Sequence, residues 1–94
     1  MGDITPVTML KAIIGGRKTT LGIIRSSHLK DDLIRLRDRA QDATKEGAGE
    51  GAFARLQASM NDVRTDVERA QRLAEEIEAL EKALAIVEKD GVEL

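Results

Sequence analysis

Between Phe53 and Lys89 the apolar side chains recur at helical spacing. Leu56, Met60, Val63, Val67, Ala70, Ala74 and Ile77 step alternately by four and three. After one short step of three, the row continues through Leu80, Leu84 and Val87. Charged and amide residues fill the positions between. Such a row is the seam of a helix that packs against another helix. Leu29, Leu33, Leu36, Ala40 and Ala43 repeat the same four-three rhythm in the first half of the chain. The two rows predict two long helices, zipped by their aliphatic edges.

The punctuation between the rows sets the expected boundaries. Thr5-Pro6 reads as a helix start: a capping hydroxyl, then the residue whose missing N–H does no harm at the first helical position. Val7, Leu10, Ile13 and Ile14 give a short apolar face. Gly15-Gly16 reads as its stop, since glycine takes the left-handed C-terminal position cheaply. The first element is therefore expected over 5–14. A first long helix is expected over 20–45, with Thr20 as cap. Ser26-Ser27 offers an alternative start near His28; the continuous helix is preferred, because five residues alone would have nothing to pair with.

Gly47, Gly49 and Gly51 lie at alternate positions of a turn expected over 46–51. Short connections between helices make antiparallel neighbours. The second long helix is expected over 52–90, with Gly91 as its C-terminal glycine. The predicted fold is all-α in a single domain, 1–94. It is a short N-terminal helix followed by a long antiparallel helical hairpin, coiled-coil-like and oligomeric.

Composition strengthens the oligomer expectation. Ninety-four residues with one aromatic, Phe53, leave a thin core. The second long helix should reach about 55 Å against about 39 Å for the first. Leu80, Leu84, Ile86, Val87 and Val92 would then crowd an end that one short helix cannot cover. The chain has no cysteine, which removes disulfides and thiolate metal sites. Its start lacks the pattern of a signal peptide, and no apolar run is long enough to span a membrane. A cytoplasmic protein is expected, with a composition that fits a small phage or mobile-element protein.

The net charge is −2, but its distribution is uneven. From Lys11 to Arg39 there are eight basic and three acidic residues; from Leu73 to Leu94 there are two basic and seven acidic. In an antiparallel pair the two blocks face each other and select that arrangement. Arg35, Arg37 and Arg39 alternate with acidic residues and have no aromatics beside them, which argues against nucleic acid.

One stretch has the chemistry of an anion site. Gly15, Gly16, Arg17, Lys18, Thr19 and Thr20 combine flexible backbone, two cations and two hydroxyls ahead of an expected helix start. Arg25 and His28 would follow one and two turns later. The spacing departs from a Walker phosphate loop, so nucleotide hydrolysis is not expected. A single histidine without cysteine makes no transition-metal site. No nucleophile–base pair appears, so the chain is not expected to be an enzyme or to need a cofactor.

Two functions remain. The first is a non-enzymatic protein acting by self-association and protein–protein contact, as an adaptor, inhibitor or assembly factor. Its seam would comprise Leu29, Leu33, Leu36, Leu56, Met60, Val63, Val67, Ile77, Leu80, Leu84 and Val87. The second is an oligomeric binder of a phosphorylated small molecule or nucleotide, held by the 15–20 segment with Arg25 and His28.

Overall fold

The computed structural model describes residues 5–90; Met1–Ile4, Gly91 and Val92 lie outside the described residues. All regular structure among the described residues is helical. Helix α1 spans Pro6–Ile23, a π-helical turn spans Ile24–His28, α2 spans Leu29–Ala43, and α3 spans Gly49–Asp90. The described residues fall into two compact units. Unit 1 holds 5–22 and 71–90; unit 2 is Ile23–Ala70.

Helix α1 begins where a cap is available. The Thr8 N–H donates to Thr5 Oγ1 at 3.1 Å, and the Met9 N–H to the Thr5 carbonyl at 2.9 Å. The expected stop at Gly15-Gly16 is absent, because α1 runs through both glycines. Two features carry it. The inward positions Val7, Leu10, Ile14, Arg17 and Leu21 keep the three-four rhythm across the pair, with Ile14 buried. The Thr19 and Thr20 hydroxyls donate back to the Gly15 and Gly16 carbonyls at 3.0 and 3.1 Å. Packing of one face thus outweighs the roughly 1 kcal/mol that each interior glycine costs.

Unit 1 pairs this helix with the end of α3. Lys11 lies 3.9 Å from Glu88, Lys18 3.8 Å from Glu81, and Arg17 3.3 Å from Glu76. Partner numbers fall from Glu88 to Glu81 as the lysine numbers rise, which is antiparallel order. The end of α3 expected to lack a partner therefore has α1 beside it, and the length mismatch disappears.

Unit 2 holds the π-turn. There the Leu29 N–H donates to the Ile24 carbonyl, five residues back. The reason is a mismatch of phase. Inward positions run 14, 17, 21, 24 and then resume at 29, 32, 36, with a step of five where the repeat calls for four. A π-turn is the local means of taking in that extra residue. The chain also stays helical through Ser26-Ser27, without a break there.

The turn after α2 is shorter than expected, covering residues 44–48. The Thr44 N–H reaches the Ala40 carbonyl at 3.2 Å, and the Ala48 N–H the Lys45 carbonyl at 3.2 Å. Gly47 and Gly49 take φ of 79° and 75°, the left-handed region that a side chain resists. Gly51 already belongs to the first turn of α3.

Candidate functional site

The inward face of α3 follows a strict seven-residue repeat. Ala52, Leu56, Ser59, Val63, Asp66, Ala70, Leu73, Ile77, Leu80, Leu84 and Val87 are buried or half-buried, stepping alternately by four and three. Labelling the repeat a to g, Leu56, Val63, Ala70, Ile77 and Leu84 are a positions; Ala52, Ser59, Asp66, Leu73, Leu80 and Val87 are d positions. On the first arm, a is Val7, Ile14 and Leu21, then Leu29, Leu36 and Ala43. There d is Leu10, Arg17 and Ile24, then Asp32 and Arg39.

This assignment corrects the seam. Met60 and Val67 were expected inside but are 55% and 45% exposed, and Leu33 is 47% exposed. All three occupy e, one residue beyond d. Phe53 is also an e residue, 57% exposed. Within unit 2, past Ile24 and Ala52, the apolar side chains of the seam therefore stand at a and e, and the d positions they would otherwise fill carry Asp32, Arg39, Ser59 and Asp66.

That polar row has specific chemistry. Asp66 is 7% exposed, and its Oδ2 is buried without a hydrogen-bond partner. The Ser59 hydroxyl is also buried and unpartnered. Arg39 Nη1 donates to the Arg55 carbonyl at 3.3 Å, and Arg35 Nη1 to Asp32 Oδ1 at 2.8 Å. A hydrogen bond shared with Asp32, then burial, then the Asp32 charge hold the Asp66 carboxyl above the ordinary 3.8; the charges of His28 and Arg69 pull it down.

The segment expected to cradle phosphate has a different geometry. Gly15–Thr20 is helix interior, so its N–H groups bond within α1 and present no helix start. The Thr19 and Thr20 hydroxyls bond the glycine carbonyls. Arg17 and Lys18 stand opposite Glu76 and Glu81. Arg17 Nε is buried and, despite 3.3 Å to Glu76 Oε2, is not aligned for a hydrogen bond. Arg25 and His28 belong to unit 2, in the π-turn. Their side groups are exposed there, and His28 is close enough to Asp66 to act on it electrostatically.

Among the described residues, no group of three or more His, Asp or Glu side chains could hold a metal ion. No helix among them is long and apolar enough to cross a membrane. In comparisons with known proteins, the chain matches no protein family, no curated sequence and no solved structure.

Proposed function

We propose that the chain is a non-enzymatic, self-associating helical hairpin of coiled-coil type that works by protein–protein contact. The observation that carries this reading is the displacement of large apolar side chains from d to e in unit 2. In an antiparallel helix pair, e positions lie on one flank, e beside e. The unit 1 pairs Lys11–Glu88 and Lys18–Glu81 are both of this kind. In unit 2 the same register positions are Arg25, Leu33 and Ala40 on the first arm and Phe53, Met60 and Val67 on α3, so that all but Arg25 are apolar. The row has the seven-residue spacing of a helix seam, and it adjoins the half-buried Leu56 and Val63. A second copy is the occupant we favour. The α3 row is evenly spaced about Met60, so a two-fold axis there sets Phe53 against Val67 of the other copy and Arg64 against Leu56. No like charges then meet across that helix pair.

Magnitudes set how tight such a complex is. Each half-exposed side chain gains ~1 kcal/mol on full burial. Leu33, Phe53, Met60 and Val67 from two copies give ~8 kcal/mol, which is comparable with the cost of association. The expected complex is weak and concentration-dependent. Sedimentation velocity from micromolar to millimolar chain should show a monomer–oligomer equilibrium. Met60→Lys with Val67→Lys should abolish it while the helical circular dichroism persists. A wild-type chain that stays monomeric throughout that range overturns the proposal.

The phosphate-binding alternative has less support. A phosphorylated ligand would have to draw Arg17 and Lys18 away from Glu76 and Glu81, without free backbone N–H groups to help. Thermal shift with phosphate and nucleotides, repeated on Arg17→Ala/Lys18→Ala, tests it directly.

A further inference from the structure

We propose that Asp32 and Asp66 form a proton-operated latch inside unit 2: one shared proton joins the two carboxyls, and its loss leaves two negative charges facing each other at a buried position. Both are d residues, one on α2 and one on α3, where a helix pair ordinarily sets aliphatic side chains. Asp66 is nearly enclosed and its Oδ2 has no donor. A carboxylate can only accept, so two ionised carboxylates cannot bond each other. One proton between them supplies the missing donor, and like charges sharing a site retain such a proton to higher pH.

The surrounding charges are few. From the first arm, His28 faces Asp66, and Arg35 is bonded to Asp32; from α3 itself, Arg69 acts on Asp66. The Arg35 bond at 2.8 Å sets a cation against Asp32, while Asp66 Oδ2 has no such partner. The latch also lies next to the π-turn, since His28 is the last residue of that turn. The five-residue step there is what returns Asp32 to the inward face. Without it, the repeat would place Asp31 at d.

The sign of the pH effect follows from linkage. A carboxyl whose folded pKa is raised favours folding when protonated. Its contribution is fully present below the unfolded value near 4 and is lost as pH rises through the raised value. Acid should therefore tighten unit 2, opposite to the usual behaviour of ion-paired carboxylates.

The latch does not depend on self-association, and the test separates them by working at one fixed, low chain concentration. Thermal unfolding of the full chain is followed by circular dichroism between pH 4 and 8. Wild type should lose several degrees of Tm as pH rises through this range. Asp66→Asn should melt several degrees higher than wild type at pH 7.5, with a flatter profile. Asp66→Leu, which sets an aliphatic residue at d, should do the same if the amide packs poorly. Asp62→Asn, at an exposed position of α3, should keep the wild-type slope. In parallel, carbon NMR should show the Asp66 carboxyl titrating at higher pH than the same residue in an unfolded peptide of this sequence. Either of two results overturns the latch: an Asp66 carboxyl that titrates like the peptide, or Asp66 variants whose Tm profiles run parallel to wild type at or below it.

Discussion

The two units solve the same packing problem with opposite allocations. In unit 1, a and d are aliphatic apart from Arg17, and e carries Lys11, Lys18, Glu81 and Glu88. In unit 2, a is aliphatic, d carries Asp32, Arg39, Ser59 and Asp66 besides the buried Ile24 and Ala52, and e is apolar apart from Arg25. Unit 1 buries the apolar side chains of its a and d rows between its own helices and sets charge on its e flank, with Met9, Ile13 and Ile86 exposed on its other faces. Unit 2 sets polar groups inside and leaves Leu33, Phe53, Met60 and Val67 half in water. The difference teaches that apolar content alone does not locate a core. The position it takes within the repeat decides whether the chain satisfies itself or remains open to another.

The sharpest way to break this contrast is to damage the seam that is complete. Ile77→Ala in unit 1 removes a buried side chain at a and should cost about 2–4 kcal/mol, read as a lower urea midpoint at unchanged slope. The corresponding change in unit 2 should have the other sign. Ser59→Ala deletes a buried hydroxyl that bonds nothing, and should raise stability by about 1 kcal/mol in the same titration. If Ser59→Ala destabilises as an ordinary core truncation would, the polar row of unit 2 is not the liability described above.

Backbone changes should separate the units next. Gly15→Ala or Gly16→Ala in unit 1 meets open space at each new Cβ and should raise the melting temperature, by about 0.5–1 kcal/mol each. Gly47→Ala in unit 2 should lower it by about 1 kcal/mol, since φ there is 79°. The smallest effect belongs to the charged flank of unit 1. Lys18→Ala should cost less than about 0.5 kcal/mol, and that difference should vanish in high salt, because both partners are half exposed.

Much of the helical character was legible in the residues. The apolar spacing marks both long helical segments, and the glycines mark the reversal near Gly47. The wrong register was legible too, in hindsight, as a stumble. The row Leu56, Met60, Val63, Val67, Ala70, Ala74, Ile77 follows a and e, then needs two successive steps of three, through Ile77 to Leu80, to continue. That stumble is where the apolar side chains pass from e to d. Reading it required accepting Ser59 and Asp66 as inward residues, which hydropathy argues against. Gly15-Gly16 misled for a related reason. Local propensity favours a stop, whereas the face formed by Val7, Leu10, Ile14 and Leu21 extends across the pair, and burial outweighs propensity.

The candidate anion site was less legible because it depended on that stop. Once α1 is continuous, Arg17 and Lys18 become rungs toward Glu76 and Glu81. Asp66 gave a fainter signal, a carboxylate at seven-residue spacing from both Ser59 and Leu73. Nothing in the sequence alone distinguishes it from the solvated acids around it.

The π-turn has a consequence for how the chain tolerates change. A stretch that takes in one surplus residue resets the angular bookkeeping of everything downstream. Aliphatic choices before Ile24 and after Leu29 can then drift separately, each tuned to its own surroundings. Excising a single residue between those two points would remove the surplus, so that regular α-helical turns alone would keep Leu29 and Asp32 on the inner face.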